Sequence, residues 1–198
     1  MNLLKILKHN TRGFTLIELM VVISIISLLS SLVLLVVQKG TKSAYYARAR
    51  EEMNQMYIAL HMYSTDNGSS PCDVSRDLPQ GLEKYLTTSP DWPKAPWPGS
   101  VYDWDFWDTD TGDACGGTLL QDSNPAHNQS VYQISIRFCD INGSNCRFPD
   151  EPWAANFNSN SSVYFCISGP CRAHGSYSYN HPGCCFGGNC PADQPTCK

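Results

Sequence analysis

From Phe14 to Val37 almost every side chain is apolar. At 1.5 Å per residue a helix over this run spans the ~30 Å hydrocarbon core of a bilayer. Past Val37 the pattern changes without breaking. Ala49, Met53, Met56, Leu60 and Tyr63 recur at alternating steps of four and three, an apolar stripe on an otherwise polar helix. Lys42, Arg48, Arg50, Glu51 and Glu52 fall on the wetter side of that stripe. Asp66-Asn67-Gly68 then supplies a stop, with glycine suited to a left-handed C-terminal position. The spacing predicts one helix from about Phe14 to Tyr63, its first half transmembrane.

Downstream the period changes to two. Tyr102, Trp104 and Phe106 share one face of Val101–Asp108, which leaves Asp103 and Asp105 on a face expected to be wet. Tyr132, Ile134, Ile136 and Phe138 alternate against Gln133, Ser135 and Arg137, the clearest strand in the chain. Val163, Phe165 and Ile167 mark a third strand near Ser162–Ser168. After Gly169, glycine, proline, asparagine and cysteine dominate, so the tail is expected to be loop-rich and held by bridges instead of a core. The predicted fold is α+β: a long N-terminal helix packed on an antiparallel sheet, followed by a disulfide-rich, loop-dominated C-terminal part.

The ten cysteines are Cys72, Cys115, Cys139, Cys146, Cys166, Cys171, Cys184, Cys185, Cys190 and Cys197, all downstream of the apolar run. An even count outside the membrane segment predicts disulfides formed in an oxidising compartment, with a connectivity that spacing leaves open. No C-x-x-C pair occurs, which disfavours zinc. The net charge of −4 gives no support for general nucleic-acid binding, which needs a basic surface.

Lys5, Lys8, His9 and Arg12 precede the apolar run and predict a cytoplasmic N-terminus with the bulk of the chain outside. An ordinary secretory signal has a shorter apolar region and a small-residue cleavage site, and here Gln38-Lys39-Gly40-Thr41-Lys42 follows instead. Glu18 stands inside the apolar run. A mid-membrane acid costs about 2.5–3.5 kcal/mol on insertion scales and marks a residue with a task and a partner. Ser24, Ser27 and Ser31 recur at helical spacing and, with Ser30, form a small-residue stripe. Such a stripe either lets helices approach closely or simply back-bonds to its own helix.

The series Gly13-Phe14-Thr15-Leu16-Ile17-Glu18-Leu19, behind a basic leader, resembles the class III signal of type IV prepilins and pseudopilins. The resemblance implies that a prepilin peptidase cuts after Gly13 and N-methylates Phe14. It implies that Glu18 neutralises the new amine of a neighbouring subunit. Losing residues 1–13 removes Lys5, Lys8 and Arg12 from the 14 basic residues, leaving 11 against 18 acidic and a net −7. Tyr63-Ser64-Thr65-Asp66-Asn67-Gly68-Ser69-Ser70-Pro71, followed by Gln80-Gly81-Leu82-Glu83-Lys84-Tyr85-Leu86, resembles the major pseudopilin of type II secretion, as does the looser Pro96-Trp97-Pro98-Gly99 turn. This second resemblance reaches about Tyr102, beyond which the chain is longer and richer in cysteine than that family. The expected organisation is a leader over 1–13, a transmembrane and filament-core helix over 14–37, its continuation over 38–65, and an extracytoplasmic, cysteine-rich head over 66–198.

Asp105, Asp108, Asp110 and Asp113 crowd together after the first strand, and hard oxygen donors at such density suit calcium. The major pseudopilins bind calcium in the head, so the resemblance points the same way. Asp140-Ile141-Asn142-Gly143-Ser144-Asn145, flanked by Cys139 and Cys146, reads instead as a disulfide-closed turn. Five tryptophans between Trp92 and Trp153 suit either an aromatic core or a surface-binding patch. The histidines are scattered, and neither G-x-S-x-G nor H-E-x-x-H occurs, so no enzyme is expected. The expected role is a structural subunit of a type IV pilus-like filament, homopolymeric or mixed. It would reside in the inner membrane among lipid before an assembly platform extracts it to the periplasm or cell surface. The alternatives are a type II secretion pseudopilin and, from a different class, a membrane-anchored binding protein that never polymerises.

Overall fold

The computed structural model describes residues 13–86, 92–107, 130–173, 182–192 and 194–197. The chain divides into two units, Met1–Ala44 and Tyr45–Lys198. Helix α1, Leu16–Asn67, contributes to both. In the first unit its described apolar side chains between Leu16 and Val37 lie open, and none of the membrane-length window is buried within the chain. An apolar helix of this length leaves its backbone satisfied and its side chains matched to lipid.

In the second unit α1 buries Ala49, Met53, Met56, Ala59 and Leu60. The stripe read from the sequence is thus the face that packs. Each fully buried aliphatic or thioether side chain stabilises by about 1.5–3 kcal/mol. The helix ends where Gly68 turns to φ +74° and its N–H bonds the Ser64 carbonyl at 2.9 Å. This is a left-handed C-terminal cap.

Four strands form one sheet in sequence order: β1 Val101–Trp107, β2 Val131–Arg137, β3 Ser162–Ser168 and β4 Gly183–Gly188. β1–β2 and β2–β3 are antiparallel, with Tyr102 opposite Ile136 and Trp104 opposite Ile134. Tyr102, Trp104, Ile134, Ile136, Val163, Cys184 and Phe186 share one core with the helical stripe. The aromatics interlock: Trp97 packs edge-on against Tyr46, Phe138 and Trp153. Trp97 and Trp104 are buried, which favours the core reading of the tryptophans over a surface patch.

Within the disulfide-rich tail one further strand forms, β4, which pairs with β3 in parallel. Glycine dominates β4 because the strands approach closely there: a Cβ on Gly188 would strike the Cys166 carbonyl. One expectation needs correction, that the Asp103 and Asp105 face of β1 is wet. Asp103, Asp105, Gln133, Ser135 and Arg137 are all buried. A second apolar cluster, Val131, Tyr164, Cys166, Cys171 and Cys185, covers that side of the sheet.

Four disulfides are described, Cys139–Cys146, Cys166–Cys171, Cys184–Cys197 and Cys185–Cys190. Cys72 is disulfide-bonded as well, and Cys115 lies outside the described residues. Adjacent cysteines on a strand point to opposite faces. Cys184 accordingly enters the helix-side core and Cys185 the opposite cluster.

Several of the buried polar groups pair with one another or with nearby backbone. The Arg76 N–H donates to Asp103 Oδ1 at 2.6 Å, and Arg137 Nε lies 3.8 Å from Asp103 Oδ2. Gln133 Nε2 donates to Asp105 Oδ2 at 2.9 Å and to the Arg172 carbonyl at 2.7 Å. Burial pushes the Arg137 guanidinium down from its ordinary value, and Asp105 and Asp103 oppose that shift. Removing one member of a buried pair strands the other charge, at about 3–5 kcal/mol. Asp103→Ala is therefore expected to destabilise the head by that amount. The joint change Asp103→Leu with Arg137→Met should lose far less, as read by denaturant unfolding of the detergent-solubilised protein.

Candidate functional site

The residues that the sequence assigns to processing and assembly sit together at the start of α1. Phe14 is exposed, and a side chain built on Gly13 would meet nothing within 4 Å. The bond between them is open to an enzyme. Glu18 occupies the third helical position and closes a reciprocal cap. Its Oε2 accepts the Thr15 N–H at 2.9 Å and the Thr15 hydroxyl at 2.7 Å, while the Glu18 N–H donates to Thr15 Oγ1 at 3.3 Å. This is the capping box, in which an N-cap threonine and a glutamate three residues on satisfy each other's backbone groups. The spacing Thr15-Leu16-Ile17-Glu18 carries this capping signature in the sequence, beside the stronger signal of a charge in an apolar run. Its Oε1 takes no part in the cap. The carboxylate thus fixes its own helix start and still presents an oxygen outward.

Ser24 donates to the Met20 carbonyl at 2.7 Å, Ser27 to Ile23 at 2.7 Å and Ser31 to Leu28 at 2.8 Å. Each hydroxyl is satisfied inside its own helix, so the stripe presents small, already-bonded side chains to its surroundings.

Residues 8–34 match the family described as the prokaryotic N-terminal methylation motif. The match covers the basic end of the leader, Gly13-Phe14, Glu18 and most of the apolar run. No curated protein and no solved structure matches the chain. The chain therefore carries the class III signal of type IV pilins and pseudopilins. That signal supports reading it as a pilin-like or pseudopilin subunit, anchored in the membrane by its apolar helix.

Of the aspartates read as calcium donors, Asp105 is buried on β1, not on a wet face, and takes the Gln133 amide. Asp108, Asp110 and Asp113 lie outside the described residues. Among the described residues no group of three His, Cys, Asp or Glu side chains is arranged to hold a metal ion.

The turn closed by Cys139–Cys146 uses its own acid. Asp140 Oδ1 accepts the N–H groups of Asn142 at 3.0 Å and Ser144 at 2.7 Å, and Oδ2 accepts Asn145 Nδ2 at 2.8 Å. The Asp140 carbonyl also takes a hydrogen bond from the Arg76 guanidinium. The backbone N–H of Ser144, then the Asn145 amide, hold the Asp140 carboxyl below the usual carboxylate range. A carboxyl depressed in the folded state adds stability above its unfolded value of about 3.9 and loses it as pH falls through the folded value. The wild-type head should lose stability from about that pH downward, and Asp140→Asn should flatten that part of the curve. Thermal unfolding across the acid range reads the difference.

Proposed function

We propose that this protein is a structural subunit of a type IV pilus-like filament, matured by a prepilin peptidase and polymerised through its N-terminal helix. The observation that carries the reading is Glu18, an acid in an apolar helix directly behind Gly13-Phe14-Thr15. Cleavage after Gly13 creates an amine at Phe14, which the peptidase methylates. The Oε1 of Glu18 left outside the capping box meets the amine of a neighbouring subunit. Two opposite charges buried together are far cheaper than either alone. The pairing also fixes the stagger between subunits.

In this reading residues 1–13 are the leader and 14–37 the membrane and filament-core helix. Residues 38–65 carry that helix into the head, and 66–198 complete the head. The basic leader stays cytoplasmic and the head lies outside the inner membrane, a placement supported by its disulfides. An assembly platform driven by a cytoplasmic motor extracts the subunit from lipid, and the role is structural, not catalytic.

A type II secretion pseudopilus is the second reading, supported by one cluster in the head. The Tyr63 ring lies against the Cα of Gly81, Leu82 is buried, and the Tyr85 hydroxyl donates to Asp66 Oδ2 at 3.0 Å. These are residues of the two segments that resemble the major pseudopilin.

Two variants test the assignment in the native host. Gly13→Val should leave full-length precursor in the membrane and no fibres, and mature-sized product from it overturns the cleavage site. Glu18→Gln should be cleaved normally yet strand mature monomer in the membrane when it is the only copy. Assembly equal to wild type, measured on sheared fibres, sinks the charge-pairing mechanism and returns the chain to the class of static membrane anchors.

A further inference from the structure

Four Asn-x-Ser sequences occur in the chain, at Asn67, Asn128, Asn142 and Asn160. An Asn-x-Ser/Thr sequence with no proline between is the acceptor pattern for N-linked glycan, and it works only where the asparagine amide and the hydroxyl two residues on can be reached. Asn67 is the last residue of α1, and its side-chain amide donates to the Tyr63 carbonyl at 2.8 Å. Asn160 is exposed, but its serine, Ser162, is fully buried in β3. Asn128 lies outside the described residues.

Asn142 differs from these. It sits in the turn closed by Cys139–Cys146, and both Asn142 and Ser144 are exposed. Its backbone N–H is held by Asp140, and among the described residues its side-chain amide has no protein partner. Beside it Ile141 is 69% exposed, an aliphatic side chain standing in water at the turn. A glycan on the next residue would shield it.

We propose that Asn142 is an N-glycosylation site, modified from a lipid-pyrophosphate-linked oligosaccharide on the extracytoplasmic face. The Asn142 carboxamide nitrogen forms a bond to the anomeric carbon of the sugar. The bond from that carbon to the pyrophosphate oxygen breaks, the lipid pyrophosphate leaves with the electron pair, and the amide proton passes to the transferase base. The inference rests on the head being outside the membrane, where such donors are presented and where disulfides form.

The test is mass spectrometry of the protein from its native host, reading two peptides in one sample. The N-terminal peptide reports cleavage at Gly13, and the reduced tryptic peptide Phe138–Arg147 reports Asn142. The expected result is a mature N-terminus at Phe14 with a glycan mass on the second peptide. That mass should disappear in Asn142→Gln and Ser144→Ala and return in Ser144→Thr. This order separates sequence-read transfer from chemical adducts. A mature Phe14 terminus with bare Asn142 overturns the glycan site and leaves the filament reading standing. An uncleaved terminus with bare Asn142 overturns both. Glycan surviving in Ser144→Ala overturns the acceptor-pattern reading of the turn.

Discussion

Backbone groups inside a bilayer find no water, so a segment that crosses it must satisfy its hydrogen bonds internally and show lipid nothing but apolar side chains. The first half of α1 meets that demand, and the consequences run outward from it. Ser24, Ser27 and Ser31 turn their hydroxyls back onto carbonyls of the preceding turn. Its only acid lies in the first turn, where the helix has unpaired N–H groups for an acid to serve. A carboxylate at that place is both a helix start and a charge looking for a counter-charge. In the proposed maturation, a cut one residue ahead of the capping threonine would supply one.

The head solves a different problem. A small domain whose longest element is partly committed to the membrane has little apolar surface left for a core. Here the sheet is covered on both sides, by the helical stripe on one and by sulfur-closed segments on the other. The second cover brings charged strand residues out of water, and the Asp103–Arg137 and Asp105–Gln133 contacts offset that desolvation. Both sheet edges are blunted, β1 by a bridge from Val74 to Trp104 and β4 by a bridge from Cys185 to Thr196. Exposed edges would otherwise invite pairing with another chain.

The parts of this design differ in how openly the sequence shows them. Long-range periodicity marked α1, because about fourteen turns of apolar and amphipathic pattern leave no competing reading for Ala49, Met53 or Met56. The three antiparallel strands were legible from alternation at Tyr102, Ile134 and Val163. β4 was not, since Gly183-Cys184-Cys185-Phe186-Gly187-Gly188 has no alternation of polarity, and its strand character comes from pairing with β3. Alternation also misassigned Asp103 and Asp105. A polar face predicts water only when nothing else covers it, and the cover here comes from segments far along the chain. At the N-terminus, Gly13, Phe14 and Glu18 could be read directly, because a charge in an apolar run stands out. The cap to Thr15 used a pattern equally visible but overshadowed by that charge.

The paired cysteines of β4 carry a mechanical implication. The Cys184–Cys197 and Cys185–Cys190 bonds close the tail back onto the strand from which it departs. Tension applied near the C-terminus reaches β4 through sulfur before it loads the Cys185 N–H to Pro195 carbonyl bond. The tail therefore cannot be unzipped one hydrogen bond at a time. Under a pull from that end, the load enters β4 at Cys184, near the start of the strand, so the tail cannot come away without β4 itself.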